Sequence, residues 1–271
     1  MTRRTERFHV DIAATPDQVW RMLTTAEGLA SWFGTRASID LRLDGDVEVG
    51  WGDQEAITSR ITVLEPPHRL RLSYLVEGEE LGAEEWLVTT SDTSTRLTLV
   101  HSMPDDDVDD WDGYYGDIRR GWRLFLASLR HALHNAAEPL RSVTSRSLPM
   151  PGDRDAIWAA LTRAVGFDDD VRPRRADADA GADDDRPDSR GRPAGDELQA
   201  LRTGPFRHLG LRVVLADPPH SLLLTSAEHT LLCDVEGGGD HQHLYLQAAT
   251  HHGDASFNER ALATLTDRLQ S

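Results

Sequence analysis

The spacing of apolar residues along the first half of the chain changes period three times, and each change predicts a different kind of element. Phe8, Val10 and Ile12 alternate with polar neighbours, the period of a half-buried strand. Thr15 followed by Pro16 is an N-cap with proline at the first helical position. Val19, Trp20 and Leu23 then recur at one-turn spacing, so a helix is predicted from Pro16 to Thr24 with those residues toward a core. A second short helix, about Ala26 to Trp32, ends near Gly34. Beyond it the period falls to two, with predicted strands at 37–43, 46–51, 55–64, 69–76, 84–90 and 95–101. Asp44-Gly45, Gly52-Asp53, Pro66-Pro67 and Glu77-Gly78 mark turns between them. From Asp110 to about Ala136 the helical period returns, and Ile118, Trp122, Phe125, Leu126, Leu129 and Leu133 form one stripe.

A strand, two short helices, about six strands in hairpins and a long helix with one apolar face make an α+β domain. The stripe needs a sheet face to bury it, which predicts a curved antiparallel sheet wrapped on its C-terminal helix, with a cavity between them. The order then repeats. DQVWRMLT at 17–24 returns as DAIWAALT at 155–162, and LEPPH at 64–68 returns as LADPPH at 215–220. The offset grows from 138 residues at Trp20/Trp158 to 152 at His68/His220, so the second copy carries an insertion. Residues 168–197, rich in Asp, Arg, Pro, Ala and Gly, are that insertion, and they hold too little apolar surface to offset their ordering entropy. Two tandem domains are therefore expected, 1–138 and 139–271, with a disordered acidic segment at about 168–197. The second copy reads as degenerate. Trp32-Phe33 has no counterpart ahead of the insertion, the last helix (256–269) is short, and the strand signal after Leu224 is interrupted.

Charge narrows the partners. A net charge of −17, with no lysine in the chain, argues against a nucleic-acid backbone or an anionic membrane as partner. One cysteine, Cys233, cannot form an internal disulfide; the start has no secretory apolar region and no run is long enough to span a bilayer, so a cytoplasmic protein is expected. The chain has no G-x-S-x-G elbow, phosphate loop, H-E-x-x-H or dinucleotide fingerprint, which argues against a hydrolase or nucleotide enzyme, and no cofactor is expected. His241 and His243 share one face of a likely strand, near His229, Cys233, Asp240, His251 and His252. No zinc-motif spacing joins them, and no metal is expected.

An ordered set of residues carries a family resemblance: Val10 and Ile12, Ala14-Thr15-Pro16, Val19-Trp20, Leu23-Thr24, Trp32-Phe33, Glu65-Pro66-Pro67 with Leu70, Leu99-Val100-His101-Ser102 and Gly121-Trp122. Over residues 7–133 the chain resembles the START-like (SRPBCC) superfamily of helix-grip proteins. Within it, the resemblance is to the group related to the C-terminal domain of the activator of the heat shock protein 90 ATPase. The resemblance implies a hydrophobic pocket, since family members bind lipids, polyketides, hormones or other apolar molecules and some act as cyclases. It does not name a reaction. Six of the seven tryptophans lie in the first copy, and strand alternation would turn Leu70, Leu72 and Tyr74, Glu84 and Trp86, and Leu97, Leu99 and His101 to one surface facing Trp122 and Phe125. The expected site is therefore Trp32, Phe33, Trp51, Tyr74, Glu84, Trp86, His101, Trp122 and Phe125, a mostly aromatic cleft for an apolar small molecule, without catalysis. Two alternatives stand beside it. A cyclase or lyase would use His101 as acid or base, tuned by Glu84. A chaperone-linked interaction module is suggested by the family name alone.

Overall fold

The computed structural model describes residues 3–52, 55–91, 94–104, 111–134, 142–167, 200–201, 203–238, 241–250 and 256–270. The chain divides into two compact units, Met1–Val143 and Thr144–Ser271. The acidic segment 168–197, the run from Asp105 to Asp110, Asp240, and His251 and His252 lie outside the described residues.

The first unit begins with strand β1 (Arg3–Ile12), whose burial alternates along its length. Helix α1 (Pro16–Thr24) follows, started by the Thr15 hydroxyl and the Gln18 side chain in a reciprocal capping box. Helix α2 (Ala26–Trp32) folds tightly back on α1. A Cβ on Gly28 would stand 2.5 Å from Arg21 O and 2.7 Å from Met22 Cα, so only glycine admits that approach. Six strands complete the sheet: β2 (Arg36–Ile39), β3 (Asp46–Gly50), β4 (Ile57–Glu65), β5 (Arg69–Val76), β6 (Glu79–Ser91) and β7 (Ser94–Pro104). Their order is β1-β7-β6-β5-β4-β3-β2, with every described pairing antiparallel. Glu77 and Gly78, both at positive φ, close the two-residue β5–β6 hairpin. Helix α3 (Trp111–His134) lies against β1 and α2, and its Trp122, Leu126, Leu129 and Leu133 join Ile12, Leu70, Trp86, Leu97 and Leu99 of the sheet in one core. The predicted stripe is the buried face.

In the second unit, β8 (Ser142–Met150) leads into α4 (Arg154–Val165), capped by Asp153 and ended by Gly166 at φ 83°. Strands β9 (Arg212–Asp217), β10 (Ser221–Thr225), β11 (His229–Gly238) and β12 (His241–Thr250) and helix α5 (Ser256–Gln270) follow. The sheet order β8-β12-β11-β10-β9 is that of the first sheet without its last two strands. The repeated helical phrase is buried alike in both units, through Val19, Trp20, Leu23 and Thr24 and through Ile157, Trp158, Leu161 and Thr162. The repeated turn keeps its hydrogen bonds: His68 N–H donates to Glu65 O and His220 N–H to Asp217 O, and both Pro-Pro bonds are cis. Where the pattern after Leu224 suggested interrupted strands, β11 and β12 pair over ten residues. Buried residues there stand on both faces, so the alternation expected of a half-exposed strand is absent from the sequence.

Candidate ligand-binding cavity

Between α3 and the sheet of the first unit lies a cavity of about 420 Å³. Eight of the nine residues expected from the sequence line it: Phe33, Trp51, Tyr74, Glu84, Trp86, His101, Trp122 and Phe125. Trp32 does not. It is fully buried behind the wall, where its indole N–H donates to Met22 O at 3.0 Å and its ring stacks on Phe33 and meets Trp86 edge-on. The last turn of α2 directs it into the core. The same turn places Phe33, the following residue, at the centre of the aromatic cluster: stacked with Trp122 at 5.3 Å and met edge-on by Trp51 and Phe125 at 5.3 and 5.0 Å. The Trp51 indole N–H is fixed to Phe33 O at 2.7 Å.

Pattern reasoning missed the far side of the cavity. Val47 and Val49 of β3, Leu23 and Leu29 of the two short helices and Met103 of β7 line it as well, and their ordinary alternation in a strand or helix marks them only as core. Ile57 and Leu81, both half-exposed, also belong to the wall, so the cavity reaches the surface beside these residues.

The strand register builds the polar end. Across β5, β6, β7 and β1, Leu72, Glu84, His101 and Glu6 are successive neighbours, one residue pair beyond the row Leu70, Trp86, Leu99, Phe8. Glu84 and His101 are almost fully buried, with Oε1 and Nδ1 3.9 Å apart. The Tyr74 hydroxyl donates to Glu84 Oε1. Oε2 of Glu84 and Nδ1 of His101 have no hydrogen-bond partner. A buried polar atom left unpaired costs about 1–3 kcal/mol, so these two atoms call for a polar partner within the cavity. Burial lifts the Glu84 carboxyl from 4.5 to about 7, against hydrogen bonds from Tyr74 and Trp86 that favour its ionised form. Burial likewise pushes His101 from 6.5 down to about 4, with the Glu6 charge acting in the other direction. At neutral pH the imidazole is therefore uncharged and the carboxyl is poised between its two forms. Glu6 itself is paired with Arg119 of α3 at 2.6 Å. His101 also lies 6.0 Å from the Trp122 ring.

Such a chamber can hold an apolar molecule of two or three rings and offer it one polar contact point. Among the described residues no group of three His, Cys, Asp or Glu side chains could hold a metal ion. No described helix is long and apolar enough to cross a membrane.

Comparison with known proteins bears on the first unit most directly. Residues 13–134 match the family model described as Activator of Hsp90 ATPase homolog 1-like protein. Among solved structures, the chain is similar to the Aha1 dimer from Colwellia psychrerythraea, at 19% identity over 51% of this chain and 100% of that one, with a TM-score of 0.43. CalU16 from Micromonospora echinospora is 24% identical over 48% of this chain and 76% of that one, with a TM-score of 0.40. DynU16, from the dynemicin biosynthetic locus, is 18% identical and is matched over 98% of this chain and 94% of its own, with a TM-score of 0.42. No curated protein matches the chain. The likeness to Activator of Hsp90 ATPase homolog 1-like proteins therefore lies in residues 13–134, which carry α1 to α3 and most of the first sheet.

Proposed function

We propose that the first unit binds an apolar or aromatic small molecule in the cavity under α3 and does so without catalysis, while the second unit, an abbreviated tandem copy, supports it. The observation that carries this reading is the cavity itself: about 420 Å³, walled by Phe33, Trp51, Trp86, Trp122 and Phe125 and open beside Ile57 and Leu81. A unit that needed these aromatics only as core would leave no chamber of this size beside them, since the interior of a protein is ordinarily close-packed. Rigid rings already stacked in place lose little freedom when a flat ligand enters, which favours binding.

Binding to the folded first unit must raise its stability. A ligand at one hundred times its Kd adds about 2.7 kcal/mol. Thermal unfolding with a panel of two- to four-ring aromatic compounds, paired with native mass spectrometry of the purified protein, tests this directly. A compound that raises the melting temperature in proportion to the logarithm of its concentration supports the proposal. A panel in which no compound shifts the transition and no mass adduct is retained overturns it.

A further inference from the structure

The second unit provides an internal comparison for the polar end of the cavity. Val88 N–H donates to His68 O and Val235 N–H to His220 O, both at 2.8 Å, so the two Pro-Pro turns align the two sheets residue by residue. From that anchor the registers coincide. Leu70, Trp86 and Leu99 are neighbours across β5, β6 and β7, as Leu222, Cys233 and Leu246 are across β10, β11 and β12. One row further stand Leu72, Glu84 and His101 in the first unit, and Leu224, Leu231 and Ala248 in the second. The second-unit row is wholly apolar and fully buried in its core.

This sheet therefore accommodates an apolar row at that level, and nothing in its strand pairing requires a carboxyl or an imidazole. The first unit nevertheless places both there and leaves Glu84 Oε2 and His101 Nδ1 without partners in the wall of the cavity. Groups that the fold does not need, and that are unfavourable when unpaired, mark the position of a polar group supplied from outside.

The separation and the proton inventory select that group. His101 Nδ1 stands 3.9 Å from Glu84 Oε1, the oxygen that accepts from Tyr74, so one polar atom placed between the two side chains is within hydrogen-bond reach of both the imidazole and the carboxyl. A neutral imidazole has one N–H and one acceptor nitrogen, and a carboxyl near its midpoint presents either O–H or O⁻. Where the two facing atoms hold one proton between them, the bridging group must donate to one partner and accept from the other; where each holds one, it must accept from both. A hydroxyl does both. A carbonyl only accepts, and a carboxylate would bring a second negative charge beside Glu84 in a cavity that no arginine lines, in a chain without lysine. The other titratable groups facing the pair are Tyr74 of β5 and Glu6 of β1, the latter neutralised by Arg119 of α3.

We infer that Glu84 and His101 recognise a hydroxyl group, phenolic or enolic, on an otherwise apolar aromatic ligand. The inference rests on the cavity being a ligand site and adds what distinguishes one ligand from another. It makes the first unit selective for hydroxylated rings over hydrocarbons of the same shape, and over the corresponding acids.

Two scaffold-matched sets test it, naphthalene, 2-naphthol and 2-naphthoate, and the anthracene equivalents, titrated into the full chain at neutral pH against tryptophan fluorescence. The naphthol and anthrol are expected to bind at least tenfold more tightly than the hydrocarbons, with the carboxylates weakest. In Glu84→Leu/His101→Leu, where the row resembles that of the second unit, hydroxylated compound and hydrocarbon should bind alike. Each single substitution should reduce the preference in the same direction, so a misfolded double variant does not remove the test, and the wild-type ranking stands without any variant. Equal binding of hydrocarbon and hydroxylated compound to the wild type overturns the inference and leaves the cavity reading intact. Failure of every compound in both sets to bind overturns both. A preference that survives in the folded double variant overturns the assignment to these two residues.

Discussion

Replacing Glu84 by glutamine keeps the size of the side chain and an acceptor for the Tyr74 hydroxyl but removes the charge, and the consequence follows from where the carboxyl sits. Burial lifts its pKa from 4.5 to about 7, so between those values the folded chain retains a proton that the unfolded chain has released. The stability linked to that proton is fully present below pH 4.5 and is lost as pH rises through 7. At about 1.4 kcal/mol for each pH unit separating the two values, the loss is about 3 kcal/mol. His101 acts in the opposite sense. Burial lowers it from 6.5 to about 4, the unfolded chain takes up its proton first, and about 3 kcal/mol is lost as pH falls through that interval. Where the two intervals overlap the slopes oppose one another and nearly cancel, so the wild-type pair is almost silent there. Glu84→Gln unmasks the histidine. The stability of the variant relative to wild type should grow by about 3 kcal/mol between pH 4.5 and just above 7, and then level off. Urea denaturation at a series of pH values measures the difference, followed by tryptophan fluorescence because six of the seven tryptophans belong to the first unit. A difference that stays level across that range would refute the account of Glu84 as a desolvated carboxyl.

Two further outcomes follow from the packing. Trp86→Ala or Trp122→Ala should weaken ligand binding, whereas Trp158→Ala should leave the affinity of the folded fraction unchanged; each removes a largely buried ring and should cost about 3–5 kcal/mol in its own unit. Calorimetric titration of the three variants distinguishes them, and a loss of affinity in Trp158→Ala would contradict the division of roles. Cys233 is fully buried and its thiol is pushed up to about 12, chiefly by desolvation, so a disulfide reagent should label it only as fast as the second unit opens; rapid stoichiometric labelling of the native chain would show the site to be accessible.

Much of the fold is legible in the residue pattern because helix and strand periods are properties of the local backbone. Val19, Trp20 and Leu23 announce α1, Thr15 its start, and the stripe from Ile118 to Leu133 announces α3, and all of these are local signals. Alternation alone also assigned Tyr74, Glu84, Trp86 and His101 to one face, since a strand leaves each side chain only two directions. Even the repetition of the chain is visible in its helix and turn phrases. Pairing decided the rest. Strand β6 begins at Glu79 rather than Glu84 because partners on β5 draw its acidic start into the sheet, against the low strand preference of glutamate. Trp32 and Phe33 are adjacent in sequence, yet packing against Met22 and the sheet sends one behind the wall and the other into it. Glu84 and His101 are 17 residues apart, and only the antiparallel register sets them side by side, at the positions that Leu231 and Ala248 hold in the separate sheet of the second unit. Period is written into each segment of the sequence, whereas register is a relation between segments, decided by which faces can be buried together once the sheet has formed.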